Sequence, residues 1–220
     1  MQAGGKPMRS DERFPIARGK PIRASVRKLL LIALALGAGC VSTTALAQGQ
    51  LTEGQIIQSL AGSGAAAASA GYDIQAMRRE IDQRIRVEGT ENAASPPPTL
   101  QALAKLPNIT VEVQFDFDSD WILPESWVTV AQIADALHHP LLLSNKFAIV
   151  GHTDAKGGRE YNVELSDRRA FSVMEMLVTT FNVDPAMLVA VGFGEEQLRD
   201  PQNPESGANR RVQLINIGPR

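Results

Sequence analysis

Apolar and polar residues alternate most strictly at Ile109, Val111, Val113 and Phe115, separated by Thr110, Glu112 and Gln114. A period of two sends one set of side chains to each face of a pleated strand, so this stretch predicts a half-buried β-strand. From Pro124 to His138 the period changes. Trp127, Val130, Ile133, Ala134 and Leu137 recur at helical spacing on one side, and Pro140 closes the helix. Lys146 to Val150 reads as a second strand. Tyr161 to Phe181 reads as a long helix with Leu165, Phe171, Val173, Met176 and Leu177 as apolar positions, and Leu188–Val191 and Val212–Ile217 as two further strands. Strands alternating with helices over about 110 residues predict an α/β fold, long enough for a core of its own. The expected architecture is a two-layer sandwich: a mixed β-sheet with helices packed on one face.

The residues upstream are poorer core-formers. Gln55 to Leu60 is a short amphipathic turn or two, and Ala61 to Gly71 is a low-complexity run too small-sided to bury much area. Tyr72 to Val87 places Ile74, Met77, Ile81 and Ile85 at helical spacing; its charged face is expected to be solvated, with a partner-facing surface as the alternative. Ser95-Pro96-Pro97-Pro98 forces extended backbone and ends any helix. Residues 48–107 are therefore expected to form a partly disordered arm with a short helix, free of a folded domain over 108–220.

Charge adds a leader to this picture. Residues 1–47 hold eight Lys/Arg against two Asp/Glu, while the remaining 173 residues hold 14 against 22, a net −8. Arg18, Lys20, Arg23, Arg27 and Lys28 precede the apolar run Leu29–Val41, and Ala45-Leu46-Ala47 forms an A-x-A pattern. That sequence predicts a signal peptide over 1–47, export, and a mature chain beginning at Gln48, with Met8 an alternative start to Met1. Lipidation at Cys40, after Leu36-Gly37-Ala38-Gly39, is a competing reading, as is an uncleaved anchor. An acidic mature chain excludes nucleic acid as a partner, because phosphate binding needs clustered Lys/Arg. With Cys40 the only cysteine, no disulfide or thiolate zinc site is expected beyond the leader.

The segment richest in chemistry is Gly151-His152-Thr153-Asp154, then Gly157, Tyr161-Asn162, Leu165-Ser166 and Arg169-Ala170. Asp154 follows a strand end. Asn162, Leu165 and Arg169 fall at i, i+3 and i+7 and share one helical face. Asp154 and Arg169 can face each other, and two readings follow. One is a structural ion pair locking loop to helix, the commoner arrangement on spacing alone. The other is a pocket for a zwitterion, carboxylate for ammonium and guanidinium fork for carboxylate.

This segment resembles the OmpA-like peptidoglycan-binding domain, shared with the lipoprotein Pal and flagellar stator proteins. The pattern GHTDxxGxxxYNxxLSxxRAxxV is met from Gly151 to Val173, joined by Phe115-Asp116-Phe117-Asp118-Ser119, Gly192-Phe193-Gly194-Glu195 and Asn209-Arg210-Arg211-Val212. The resemblance covers Ile109–Ile217 and implies non-catalytic binding of peptidoglycan, anchoring the envelope to the wall from the periplasm or outer membrane. It further implies that Asp154 and Arg169 grip a diaminopimelate side chain, with Asp118 and Asn162 contributing, Thr153 and Leu165 lining the pocket, and Arg210 a weaker contact. A protein partner for residues 48–107 is the open part of the partner assignment.

Other signals carry less. His138-His139 before Pro140 reads as a polar helix end, so no metal or cofactor is expected. A wall-acting enzyme is the rival function, but no GxSxG nucleophile motif accompanies His152, whose expected role is a hydrogen bond into the sheet. Trp121 and Trp127 could pave a carbohydrate surface, although the spacing of Trp127 predicts core. The run Leu141-Leu142-Leu143 is expected to add core, with an apolar contact patch as its alternative.

Overall fold

The computed structural model describes residues 51–62, 72–89 and 95–220. The expected signal peptide, the cleavage pattern at Ala45–Ala47, Cys40 and most of the Ala61–Gly71 run lie outside them. Four strands form one mixed sheet: β1 (Asn108–Val111), β2 (Asn145–His152), β3 (Leu188–Gly194) and β4 (Arg211–Pro219), in the order β1-β4-β2-β3. β4 is antiparallel to both neighbours and β2 is parallel to β3. The parallel pair needs a crossover, which α5 (Arg159–Thr179) supplies. α4 (Trp127–Leu137) follows a single 3-10 turn at Pro124–Ser126. The α/β class and the mixed sheet match expectation.

α5 lies unusually close to the strands. A Cβ on Gly151 would stand 2.2 Å from the Ser166 carbonyl oxygen, and one on Gly192 would stand 2.2 Å from the Asp167 nitrogen. Only glycine permits that approach. It seats the middle of α5 directly over the ends of β2 and β3, where the loop bearing Asp154 begins.

Alternation along the strands separates two cores. Phe147 and Ile149 of β2, with Val212 and Leu214 of β4, pack against Ile133 and Leu137 of α4 and Val173 and Leu177 of α5. Ala148 and Val150, with Ile215 and Ile217, belong to a second cluster on the opposite face. That face is covered by α2 (Ile74–Glu88) and α3 (Pro98–Leu103). The four apolar residues of α2 read from spacing are its buried ones, joined by Leu100, Leu103 and Leu106.

The expectation of a free arm is therefore corrected for its described parts. α1 (Glu53–Ala61) starts at Thr52, whose hydroxyl caps the Gln55 nitrogen while Gln55 reaches back to the Thr52 amide. It inserts Ile56 and Leu60 among Ile109, Val111 and Leu137. Asn216 of β4 also donates to the Leu60 carbonyl at 2.9 Å. Short helices of this kind gain stability by burying an apolar face on a sheet, which weak local propensity does not reveal. Leu60→Ala should lower stability by about 2–5 kcal/mol, the range for emptying a buried leucine site. Thermal melting checks this; a free arm would leave the midpoint unchanged.

Three smaller differences have local causes. β1 stops at Val111, and Phe115 instead forms an isolated bridge with Ile122 across the Asp116–Trp121 loop. Trp127, expected in the core, is 48% exposed because its indole nitrogen donates to the Ile122 carbonyl at 3.3 Å, holding the ring over the surface. Of the leucine run only Leu142 is buried. Among the described residues no helix is long and apolar enough to cross a membrane.

Candidate functional site

β2 runs through His152 into Thr153-Asp154, and the Thr153 amide donates to the Gly194 carbonyl at 3.0 Å, tying the loop to the end of β3. Asp154 is buried. Its Oδ1 accepts from the Lys156 amide at 3.2 Å and its Oδ2 from Arg210 Nη1 at 2.6 Å. The ion pair of Asp154 is thus with Arg210, whose side chain is 54% exposed, and not with Arg169. The structural Asp154–Arg169 pair anticipated from spacing is absent among the described residues.

Arg169 sits on α5 facing the Asp116–Trp121 loop. Its Nε donates to the Ser119 carbonyl at 2.9 Å, and its guanidinium carbon lies 5.0 Å from the centre of the Phe115 ring. Among the described residues no carboxylate approaches it within salt-bridge distance. Burial lowers its pKa from the usual arginine range, and the nearby Arg210 and Arg168 charges act the same way against the opposing influence of Tyr161. A cleft of about 460 Å³ is lined by Arg169, Arg210, Arg211, Phe115, His152 and Glu112 among others. Burial pulls Arg211 down to about 10. Among the described residues Arg210 is paired with Asp154 and Arg211 donates to the Asn209 and Gln197 carbonyls. That leaves Arg169 as the cation of the cleft suited to an anionic group, and a planar fork suits a carboxylate best.

The remaining expected site residues separate into rim and support. Asp118 is exposed, has φ 51°, and accepts a hydrogen bond from the Tyr161 hydroxyl. Asn162 is only 2% exposed and spends its amide on the Asp154 carbonyl at 3.2 Å and Glu195 Oε2 at 2.6 Å. It braces the loop from beneath. Leu165 and Thr153 are buried, and the Thr153 hydroxyl has no hydrogen-bond partner among the described residues. Of the seven expected residues, Arg169 and Arg210 line the cleft and Asp154 reaches it through Arg210.

Sequence reading passes over Phe115, Ser119 and Arg211 as members of the site, and Glu195 as its support. Phe115 carried a signal: it lies on the same strand face as Val111 and Val113. The Ser119 carbonyl carried none, since a backbone acceptor leaves no trace in residue type. Glu195 has its pKa raised by burial first, and by the Glu196 and Asp154 charges, with the Asn162 hydrogen bond opposing.

His152 departs from the expected hydrogen bond into the sheet. Neither ring nitrogen has a partner among the described residues, and the ring meets Phe193 edge-on with centroids 6.0 Å apart. Burial, then the Arg211 charge, hold its pKa well below 6.5 against a weaker opposing influence of Gln213. The fold therefore favours neutral imidazole. Stability is full above pH 6.5 and falls as pH drops from there toward the folded value, because the unfolded chain takes up the proton first. Melting profiles of wild type and His152→Leu should diverge in slope just below pH 6.5; parallel profiles would mean that His152 is not held neutral.

The OmpA family model matches residues 114–211. Outer membrane porin F of Pseudomonas aeruginosa is 35% identical over 115 residues, covering 51% of this chain and 32% of that protein. The peptidoglycan-associated lipoprotein of Pseudomonas putida is 37% identical over 102 residues, 46% of this chain and 59% of that protein. The chain thus spans about a third to three fifths of these curated relatives. A crystal structure of the peptidoglycan-associated lipoprotein from Burkholderia pseudomallei aligns at 30% identity over 52% of this chain and 92% of that one, with a TM-score of 0.40.

Proposed function

Residues 114–211 belong to the OmpA family, and from that premise we propose that this protein binds peptidoglycan without catalysis and anchors the envelope to the wall. The observation that carries the reading is Arg169. A partly buried guanidinium, without a carboxylate partner among the described residues, lines a cleft beside two other arginines. Leaving a cation desolvated and unpaired is costly, so such a site is suited to a ligand that brings the counter-charge. Relatives whose names place them at the outer membrane or on peptidoglycan support the same reading.

In finer terms, the ligand group is the zwitterionic end of diaminopimelate in the stem peptide. Arg169 takes its carboxylate and Asp154 its ammonium. Arg210 must then leave Asp154, which its half-exposed side chain allows, and is free to meet a second carboxylate. Asp118 completes the rim, with the buried Thr153, Asn162 and Leu165 holding the loop and helix in place. Export through the leader at 1–47 would put the domain in the periplasm. A protein partner using residues 48–107 would meet the outward face of α2 around Arg79, Gln83 and Arg86.

Purified protein incubated with sacculi should sediment with them and release no soluble muropeptides. Released fragments would make it an enzyme, and protein left in the supernatant would remove the binding function.

A further inference from the structure

We infer that the groove between Trp121 and Trp127 is a sugar subsite, built for an N-acetylated pyranose of the wall glycan; the inference rests on the wall-binding reading above. Trp121 is 66% exposed and Trp127 48%. Neither ring hangs on a loose backbone. The Trp121 amide donates to Ser119 Oγ at 3.0 Å, its carbonyl accepts from the Asp116 amide at 3.0 Å, and the Trp127 indole nitrogen is fixed on the Ile122 carbonyl. Together they bound a groove of about 220 Å³, closed on the other side by Ser172, Glu175 and Thr179 of α5, with Asp120 at the rim.

The chemistry of that lining selects its occupant. Two indoles offer flat apolar faces, and the rim offers hydroxyls and carboxylates that accept hydrogen bonds. Among the described residues no Lys or Arg lines the groove, and two carboxylates oppose an anionic lipid or a phosphate. A neutral ring with apolar C–H faces and hydroxyls at its edge matches both parts.

Position ties this groove to the arginine cleft. In the loop between them the Ser119 carbonyl binds Arg169, and the next residue, Asp120, accepts from Ser172 Oγ at 3.4 Å. Ser172 lies three residues beyond Arg169, about 4.5 Å along the helix axis at ~1.5 Å per residue. One loop therefore frames both sites, so a stem peptide at Arg169 and the sugar that bears it can be held as parts of one ligand.

The test uses the full chain, with chitotriose as a peptide-free glycan probe and a diaminopimelate-containing tripeptide as a sugar-free one. Chitotriose should shift the indole NMR signal of Trp121, and Trp121→Ala should weaken sacculus binding about five- to tenfold, the scale of one lost ring contact, while tripeptide affinity and melting stay at wild-type values. Unmoved indole signals at millimolar chitotriose, with wild-type sedimentation intact, would overturn the sugar subsite alone. A Trp121→Ala variant that sediments like wild type would do the same, as would one that merely converts a dimer to a monomer. Wild type failing to sediment with sacculi would remove the wall-binding reading and this inference with it.

Discussion

Arg169→Ala should stay in the supernatant when sacculi are spun down, while melting like the wild type. The ligand carboxylate would enter the cleft and find no fork to meet it, a loss of roughly 2–5 kcal/mol, or at least about 30-fold in affinity. Stability should hold, because the only hydrogen bond that Arg169 makes among the described residues is from Nε to the Ser119 carbonyl on an exposed loop. Arg169→Lys should fail nearly as badly, since a point ammonium cannot reproduce a planar two-pronged contact or the stacking on Phe115. Asp154→Ala should lose binding on the same scale. There the loss includes the Arg210 pair, so Arg210→Ala is the comparison: it breaks that pair and forgoes the second-carboxylate contact yet leaves Asp154 to take the ammonium, and should lose less than Asp154→Ala. Well-folded Arg169 and Asp154 variants that sediment like wild type would mean the binding site has been assigned to the wrong residues.

The second large effect is on stability. Arg159→Ala should lower it by about 3–5 kcal/mol, the cost of stripping one partner from a buried ion pair. Arg159 is 1% exposed and forks onto Glu196 with Nε–Oε1 at 2.8 Å and Nη2–Oε2 at 2.9 Å. The same guanidinium reaches Glu88 Oε2 at 3.3 Å and the Gly89 carbonyl at 3.2 Å, so it also holds the end of α2 against the domain. Arg84 and Arg159 hold the Glu88 carboxyl below its usual range, the Arg84 hydrogen bond leading. For a unit of this size the melting midpoint should fall by about 10 °C. The double replacement Arg159→Met with Glu196→Leu should regain part of the loss, because neither of these two charges is then left buried alone, although Arg84 Nη1, 3.8 Å from Glu196, loses its partner. A single variant that melts within about 1 °C of wild type would show that solvent reaches the pair.

Much of the core domain was legible because its segments are long and strongly periodic. The positions read for α4 and α5 are mostly those buried, and the motif from Gly151 to Val173 contributes Gly151, His152 and Arg169 to the cleft. What stayed hidden was pairing at a distance. Asp154 and Arg210 are 56 residues apart, and nothing local announces that the guanidinium returning from β4 takes the carboxylate first. The seat of α2 was half visible: its four apolar positions were plain, but the face they bury against was not assigned. The uninterrupted run Phe147-Ala148-Ile149-Val150 was the available clue, since a strand apolar at every position is covered on both sides. Trp127 misled for a different reason. Helical spacing gives the direction of a side chain from the axis, and cannot foresee a backbone carbonyl that draws the indole nitrogen outward.

The order β1-β4-β2-β3 also dictates when this sheet can form. β4 stands between β1 and β2, so β1 has no neighbour until residues 211–219 arrive, although it is the first strand made. β2, α5 and β3 can assemble earlier as a crossover unit, but the apolar faces of β1 and α1 remain open meanwhile. Closing β1 onto β4 joins segments about a hundred residues apart, a slow step by the measure of contact order. A chain made from its N-terminus therefore cannot complete this sheet until almost all of the domain has been synthesised.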